Sequence, residues 1–290
     1  MTDGTTSTAP NAHPAPAPEL SVVIPMYNEA QRIGPTLAAV RTGLATVGLT
    51  AEIVLVDDGS TDQTVAAVTP ELHDDPRGAI ERTALVKLPE NRGKGAAVRA
   101  GLAAARAPKR LMMDADGSNT VEDVRTLLAE MDRTDAGLAV GSRAMPGVRI
   151  KAKATRRAAG LAFRAALRSF GVSGIRDTQC GFKLYTKAAA DLVCELGTED
   201  RFAFDIEHIL LCRKAGLHIV EVGVPWEHRD GSKVSVVSDG LKMVAATRLI
   251  SKRVRQLDLS PRPPARTDPP REPALVESRQ TTPAVAERAI

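Results

Sequence analysis

Two carboxylates, those of Asp114 and Asp116, stand two residues apart directly after the apolar residues 111–113. Alternate side chains of an extended chain point the same way, so both carboxylates would lie on one side. Paired carboxylate oxygens suit a hard divalent cation that keeps coordination positions open for a diphosphate. Taken alone, however, an Asp-Ala-Asp sequence is more often a solvated acidic turn. A metal site here therefore needs support from the rest of the sequence.

A second acidic pair, Asp57 and Asp58, ends the apolar run 53–56 and is followed by a Gly-Ser-Thr sequence. A carboxylate at the end of a strand can accept hydrogen bonds from a nucleoside base or a ribose. The same residues are also explained by a turn in which Ser60 or Thr61 caps a following helix. Both interpretations stay open on this motif alone.

A glycine-rich loop, Asn-Arg-Gly-Lys-Gly at residues 91–95, leads directly into a helical pattern. Its backbone N–H groups, with Lys94 or Arg92, could meet an anionic phosphate at the start of that helix. The spacing matches neither a Walker A motif nor a dinucleotide-binding glycine motif. A flexible loop with a solvated lysine is the alternative.

The elements that must position these motifs form a repeating pattern of strands and helices. Strands are predicted at about residues 20–25, 52–56, 82–88, 110–114 and 136–141. Helices are predicted at about residues 30–47, from 62, 95–105 and 121–132. This alternation predicts an α/β fold with a mostly parallel sheet and helices on both faces. Because parallel strands end at the same edge of a sheet, the motifs, together with Tyr27-Asn28-Glu29 and Gly141-Ser142-Arg143, should share that edge.

Two segments of the second half, at about residues 152–170 and 239–256, combine Lys and Arg with apolar side chains. Residues 141–176 carry nine Lys or Arg and no acid, although the net charge of the whole chain is only +4. Amphipathic basic helices of this kind can lie on an anionic membrane surface. The alternative is a helix that packs its apolar face on the core and leaves its charges in water. Stacking aromatics are missing, so no nucleic acid partner is expected.

Residues 203–215 form another predicted helix, with Asp205 and Glu207 in its first turn. These acids could act as a general base on a hydroxyl acceptor, or they could simply suit the helix dipole. His208 has no partner at metal-binding spacing and is given no role.

Composition limits the location and extent of the folded part. Residues 1–18 and 258–290 are rich in Pro and lack hydrophobic periodicity, which predicts disordered tails around one domain at residues 19–257. The sequence contains neither a signal peptide pattern nor a run of 18 apolar residues. Its three cysteines have no paired spacing. These features indicate a cytoplasmic protein.

The motifs together resemble those of the family-2 glycosyltransferases, and within them the dolichyl-phosphate β-glucosyltransferase group. The likeness runs from residue 21 to residue 233. The widely shared motifs are PMYNE, VDDGSTD, NRGKGAAVRAG and DADG. The narrower motifs are GSR at 141–143, IRDTQCGFKL at 175–184, FDIE at 204–207, VPW at 224–226 and GSK at 231–233. The resemblance implies a GT-A fold, with a nucleotide-sugar half at about 19–141 and an acceptor half at about 142–257.

The resemblance also implies roles for individual residues. The nucleotide sugar would be bound by Pro25, Tyr27, Asn28, Glu29, Asp57, Asp58, Lys94, Asp114, Ala115 and Asp116. The acceptor would be bound by Arg143, Arg176, Asp177, Thr178, Gln179 and Lys233. Mg²⁺ or Mn²⁺ would be held by Asp114, Asp116 and Ser118. The catalytic set would be Asp116, Arg143, Asp177 and Gln179.

The implied reaction transfers glucose from UDP-glucose, with inversion, to a polyprenyl phosphate of the dolichyl type. Eukaryotic members of the group carry an N-terminal membrane anchor that this sequence does not show. Attachment at the inner face of the cell membrane would then rest on the two basic helices. GDP-mannose as donor, a soluble hydroxyl acceptor, and a non-catalytic protein that binds sugar nucleotides or membranes remain as alternatives.

Overall fold

The computed structural model describes residues 17–74, 78–145, 165, 167–225 and 238–259. The strands are β1 (Leu20–Met26), β2 (Ala51–Asp57), β3 (His73–Asp74), β4 (Ile80–Lys87), β5 (Lys109–Met113), β6 (Leu138–Ser142), β7 (Phe182–Thr186) and β8 (Ile219–Gly223). The helices are α1 (Ile33–Val47), α2 (Thr64–Val68), α3 (Lys94–Ala104), α4 (Val124–Thr134), α5 (Lys187–Leu196), α6 (Phe204–Lys214) and α7 (Ser238–Gln256). Short 3-10 turns at Thr69–Glu71 and Val121–Asp123 complete these elements.

The strands form one sheet in the order β3-β4-β2-β1-β5-β7-β6-β8. Strands β4, β2, β1 and β5 pair in parallel, as do β6 and β8. Strand β7 is antiparallel to both of its neighbours, and the short β3 is antiparallel to β4. The mostly parallel α/β sheet predicted from the sequence is therefore confirmed. The reversed strand β7 was not predicted, because its five residues follow an irregular Gly-rich segment.

The central strands are buried on both faces, which explains their uninterrupted apolar sequences. Val22 and Ile24 of β1 pack into the core on the side of α1. Val23 between them packs into the second core, which contains residues of α3, α5 and α6. The apolar side chains of β1 therefore divide between the two cores, and no position of β1 faces water.

The predicted segments at the carboxyl-terminal side are only partly described. Helix α7 covers the second basic segment, and its buried side chains Ile250 and Val254 pack into the core that also contains α6. For α7, the alternative in which a basic helix packs its apolar face on the core is therefore supported. Most of the first basic segment, residues 152–170, and Lys233 lie outside the described residues. Among the described residues no helix combines the length and apolarity needed to cross a membrane.

Helix α3 lies unusually close to the sheet at Gly101. A Cβ at this position would be 2.3 Å from Cγ1 of Val23 and 2.8 Å from Cγ2 of Val56. Both atoms belong to stiff β-branched side chains in the sheet, so neither can move aside cheaply. The absence of a side chain at Gly101 therefore sets the distance between α3 and the strands whose ends carry the candidate site.

We expect Gly101→Ala to lower the free energy of unfolding by about 1–3 kcal/mol, because overpacking forces α3 away from β1 and β2. Urea denaturation would measure the change. Gly34→Ala in α1 is the matched control, since a Cβ there meets nothing within 4 Å and should leave stability unchanged or slightly increased. Equal stability of the two variants would contradict the close packing.

Candidate active site at the carboxyl edge of the sheet

The polar motifs meet at the carboxyl edge of the parallel strands. Met26 of β1 is level with Asp57 of β2, and Asp57 is level with Lys87 of β4. On the other side of β1, the N–H of Asp114 donates to the carbonyl of Gly181 at 3.0 Å. The donor-side and acceptor-side motifs of the sequence are therefore neighbours in space.

Asn28 joins the loops that follow β1 and β2. Its backbone adopts a left-handed conformation with φ 55°, and its side-chain oxygen accepts the N–H of Thr61 at 2.9 Å. Its own N–H donates to Oγ of Ser60 at 2.9 Å. Ser60 and Thr61 thus fix this loop junction and do not cap α2, which begins at Thr64 beside the carboxylate of Asp62.

The side chains at the ends of β1 and β2 differ in their exposure and in their hydrogen bonds to other protein groups. The Glu29 carboxylate accepts two hydrogen bonds from the guanidinium of Arg32, at 2.7 and 2.8 Å. Tyr27, two residues after Pro25 of the buried strand β1, is 38% exposed, and its aromatic ring is of a kind that stacks on a ligand. Asp57 is buried, and among the described residues its carboxylate accepts one N–H, that of Ser60 at 3.2 Å. Much of the acceptor capacity of Asp57 is therefore open to a ligand.

Asp58 shapes the glycine-rich loop. Its two oxygens accept the N–H groups of Arg92 and Gly93 and the side-chain amide of Asn91, each at 2.9 Å. Burial raises the pKa of the Asp58 carboxyl above its ordinary value, and the two backbone donors oppose that rise. Asp58 therefore holds the glycine-rich loop in place, and its contact with the nucleotide sugar stays a prediction.

The N-terminus of α3 is closed by a distant loop. The carbonyl of Asp200 accepts the N–H groups of Gly95 and Ala96 at 2.7 and 3.2 Å. A Cβ at Gly93 would lie 2.4 Å from that same oxygen. The N–H groups of residues 92, 93, 95 and 96 all donate within the protein, which favours the alternative in which these backbone groups do not meet a phosphate. The sequence could not reveal this, because the capping carbonyl lies about a hundred residues further along.

Lys94 extends from the start of α3 to the first carboxylate of the Asp-Ala-Asp motif. Its Nζ lies 2.5 Å from Oδ1 of Asp114. Burial lowers the pKa of Lys94, but the carboxylates of Asp114 and Asp205 raise it, and the net shift is upward. Lys94 is therefore positively charged. Gly181 makes room for this arrangement, because a Cβ there would be only 2.0 Å from Oδ2 of Asp114.

The Asp-Ala-Asp loop fits a cation that is shared with a ligand. Oδ1 of Asp116 accepts the N–H of Ser118 at 2.9 Å, and the hydroxyl of Thr36 donates to the carbonyl of Ala115 at 2.8 Å. The described part of the chain contains no group of three or more His, Cys, Asp or Glu that could hold a metal ion. Two carboxylates suffice only where a diphosphate supplies further oxygens, which is how Mg²⁺ is usually bound at phosphate sites.

Arg143 and Asp177, predicted as separate acceptor contacts, form one ion pair. The guanidinium donates to both carboxylate oxygens at 2.7 and 2.9 Å, and the N–H of Arg143 adds a third bond at 3.0 Å. Burial alone would raise the pKa of Asp177, yet the hydrogen bonds and charge of Arg143 hold it below its ordinary value. Asp177 is consequently ionised, and it orients Arg143.

The rest of the acceptor segment is supported by a residue that the sequence analysis missed. Glu221 of β8 accepts the N–H groups of Arg176 and Asp177 at 2.8 and 2.9 Å. Arg176 is exposed, Thr178 is buried, and Nε2 of Gln179 is a buried donor without a hydrogen-bond partner among the described residues. Glu221 gave no signal in the sequence, because a single acid in a short strand resembles any surface carboxylate.

Two acids of α6 that were considered as general bases are buried and bonded to other protein groups. Asp205 pairs with Nζ of Lys183 at 2.6 Å, and both side chains are almost fully buried. Glu207 is fully buried and makes four hydrogen bonds within the protein. Neither is placed to take a proton from an acceptor hydroxyl.

The remaining titratable side chains near α6 are core residues. Burial lowers the pKa of His208 to about 3, so its ring is uncharged, and it contacts the hydroxyl of Tyr185 at 3.1 Å. Burial likewise raises the pKa of the Cys180 thiol to about 12. Neither group is poised for nucleophilic or acid–base chemistry at neutral pH.

Asp177→Asn should lower the free energy of unfolding at pH 7 by about 1–3 kcal/mol, because Arg143 loses a charged partner. The folded-state pKa of Asp177 lies below its ordinary value of 3.8. The stabilisation by ionised Asp177 is therefore complete above that pH and is lost as pH falls through the folded pKa. Urea titrations from pH 7 to pH 3 should show the difference from wild type shrinking. A difference from wild type that stays the same across this pH range would contradict the pairing.

Comparison with known proteins places the chain in a family. Residues 21–192 match the family model described as Glycosyl transferase family 2. The dolichyl-phosphate beta-glucosyltransferase of Dictyostelium discoideum is 34% identical over 258 residues, which are 85% of this chain and 77% of the relative. The protein of the same name from Drosophila melanogaster is 36% identical, covering 82% and 76%. The one from Homo sapiens is 32% identical, covering 80% and 74%.

Solved structures share the fold at lower identity. Glucosyl-3-phosphoglycerate synthase from Mycobacterium tuberculosis in complex with UDP has a TM-score of 0.59 and 18% identity, covering 83% of this chain and 82% of that one. Its complex with Mn²⁺, UDP and glucosyl-3-phosphoglycerate has a TM-score of 0.58 and 19% identity, covering 81% and 80%. These neighbours confirm the GT-A fold. The chain belongs to glycosyl transferase family 2, is a glycosyltransferase, and within that family resembles the dolichyl-phosphate β-glucosyltransferases.

Proposed function

We propose that this glycosyltransferase transfers glucose from UDP-glucose to a polyprenyl phosphate of the dolichyl type, giving a β-linked lipid-phosphate sugar. The observation that carries the proposal is the contact of Gly181 with Asp114. It sets the segment 176–183, which distinguishes the narrower resemblance, directly against the donor-side carboxylate. The names of the curated relatives supply the donor sugar and the acceptor class.

On the donor side, Asp57 and Tyr27 would bind the nucleoside at the ends of β1 and β2. Asp114 and Asp116, with Ser118, would hold Mg²⁺ or Mn²⁺, which when bound would neutralise the diphosphate and favour its departure. Lys94 adds a fixed positive charge next to Asp114. We propose that Lys94 binds a diphosphate oxygen electrostatically where negative charge develops on the leaving group.

On the acceptor side, the nucleophile is already an anion. An oxygen of the lipid phosphate would attack the anomeric carbon while the bond to the β-phosphate of UDP breaks and UDP leaves with the electron pair. In-line attack inverts the α-linked donor to a β-linked product. No general base is required, which agrees with the burial of Asp205 and Glu207. Arg143, oriented by Asp177, and exposed Arg176 would bind the acceptor phosphate.

Helix α7 suggests how the enzyme meets its lipid substrate. One face, with Thr247, Ile250 and Val254, is buried in the protein. The opposite face exposes Leu249, at 70%, and Lys252. A surface that combines an exposed apolar side chain with positive charge suits the interface of an anionic bilayer. We therefore propose a cytoplasmic enzyme that binds peripherally to the inner face of the cell membrane.

Labelled UDP-glucose, Mg²⁺ and polyprenyl phosphate should give an organic-extractable, acid-labile labelled product. Asp114→Asn should reduce its formation by about a hundredfold or more, because removal of one electrostatic contact to the leaving group costs several kcal/mol. Asp132→Asn, on the exposed face of α4, is the matched control and should behave as wild type. GDP-mannose in place of UDP-glucose tests the donor.

Label that stays water-soluble with every polyprenyl phosphate would sink the proposed acceptor. Label transferred only from GDP-mannose would correct the donor and leave the acceptor standing. Full activity in Asp114→Asn would remove the metal assignment.

Vesicle binding tests the proposed role of α7. Leu249→Asp and Lys252→Glu should each weaken binding to vesicles containing anionic phospholipid by about fivefold or more, since one basic residue near such a surface contributes about 1 kcal/mol. Arg125→Glu makes the same charge change as Lys252→Glu on exposed α4 and should leave binding unaltered. Co-sedimentation with vesicles at two salt concentrations would measure the binding of each variant. If Lys252→Glu and Arg125→Glu weaken vesicle binding equally, the attraction depends on net charge alone and α7 is not a specific membrane-binding face.

A further inference from the structure

Glu207 is a fully buried acid that the reaction does not use, and all of its hydrogen bonds go to two places. Oε2 accepts the N–H groups of Thr198 and Glu199, each at 2.9 Å. Oε1 accepts the Thr198 hydroxyl at 3.0 Å and Nη2 of Arg253 in α7 at 2.7 Å. A buried charge persists only when it is paired and hydrogen-bonded in this way. Glu207 thus ties one loop to helix α7.

That loop is the one that closes the N-terminus of α3. The carbonyl of Asp200 accepts the N–H groups of Gly95 and Ala96. The Asp200 carboxylate contacts the guanidinium of Arg99 in α3 and, at 3.1 Å, that of Arg92. The side chain of Arg99 also donates to the carbonyl of Glu199 at 2.6 Å. Residues 198–200, which we term the capping loop, therefore hold the first turn of α3 at several points.

The first residue of α3 is Lys94, whose Nζ lies 2.5 Å from Asp114. This turn and the capping loop are in close backbone contact, because Cβ atoms at Gly93 and Gly95 would lie 2.4 and 2.3 Å from carbonyl oxygens of that loop. A shift of the capping loop must therefore move the backbone from which Lys94 extends. A displacement of about one ångström at a catalytic site can lower the reaction rate by about a hundredfold.

We propose that Glu207 is a positioning residue of the donor site, and that its bond to Arg253 couples helix α7 to the placement of Lys94. The contacts run without a gap from Arg253 through Glu207, the capping loop and the first turn of α3 to Asp114. The inference rests on the proposed function only for the donor and acceptor used in its test. A helix proposed to bind the membrane is thereby in mechanical contact with the sugar-nucleotide site.

The chain offers variants that cut this connection at one bond. In Glu207→Gln the single amide oxygen can keep the two backbone N–H groups, and its NH₂ group then faces Arg253 and the pair is lost. Arg253→Met removes the same pair from the other end, and its side chain is one-third exposed, so the fold should tolerate the change. Arg125→Met is the control, with the same loss of charge on the exposed face of α4.

Amide hydrogen exchange reports on the connection without any substrate. In Glu207→Gln and Arg253→Met, exchange at Gly95 and Ala96 should accelerate by about tenfold or more, whereas amides of α1 and the control variant should match wild type. In transfer assays the same variants should raise the KM for UDP-glucose and the half-saturating Mg²⁺ concentration several-fold and leave the KM for polyprenyl phosphate unchanged. The double variant should be no worse than either single one, because both remove one interaction.

Unchanged exchange at Gly95 and Ala96 in both variants would overturn the proposal. Faster exchange with unaltered donor KM and Mg²⁺ dependence would overturn it as well, because the capping loop would then not position Lys94. A wild-type protein that transfers no sugar to polyprenyl phosphate would defeat the proposed function instead. In that event hydrogen exchange, together with Mg²⁺-dependent binding of UDP measured by calorimetry, still decides whether Glu207 positions the site.

Discussion

The contact between Lys94 and Asp114 is the interaction on which the site depends. It joins the start of α3 to the end of β5, at the point where Gly181 leaves just enough space for the carboxylate. A carboxylate that is to share a cation with a diphosphate is oriented by its own neighbours. Lys94 contacts Asp114 from one side, and the absence of a side chain at Gly181 leaves room on the other. The donor half and the acceptor half of the domain thus meet at one carboxylate.

The acids of this region divide into those that build the site and those that can meet a ligand. The Asp58 carboxylate accepts hydrogen bonds from the glycine-rich loop, and the Glu207 carboxylate accepts them from the capping loop and Arg253. Asp205 is neutralised by buried Lys183. Asp57, Asp114 and Asp116 retain oxygens toward the edge of the sheet. This division explains how a cluster of like charges is tolerated, because each buried acid is compensated by N–H donors or by a cation.

The same division is consistent with an acceptor that is already an anion. Neither Asp205 nor Glu207 is placed as a general base, whereas Arg143 is held by two hydrogen bonds to Asp177. A fixed guanidinium lowers the cost of organising a phosphate and has little to offer a neutral hydroxyl. The electrostatic character of the acceptor side is therefore set by a salt bridge whose two partners lie far apart in the sequence.

The sequence by itself determined the α/β fold, the strands and helices of the first half, and the gathering of the motifs at one edge, because alternating patterns fix the elements and parallel strands end together. It also predicted Asp114, Asp116 and Arg143 as residues of that edge. Only the tertiary structure decided that Asp58 holds the glycine-rich loop, that Asp200 closes α3, and that Glu221 and Glu207 support the site. Each of these depends on a hydrogen bond between distant segments, and local patterns carry no record of which distant group will satisfy a buried N–H.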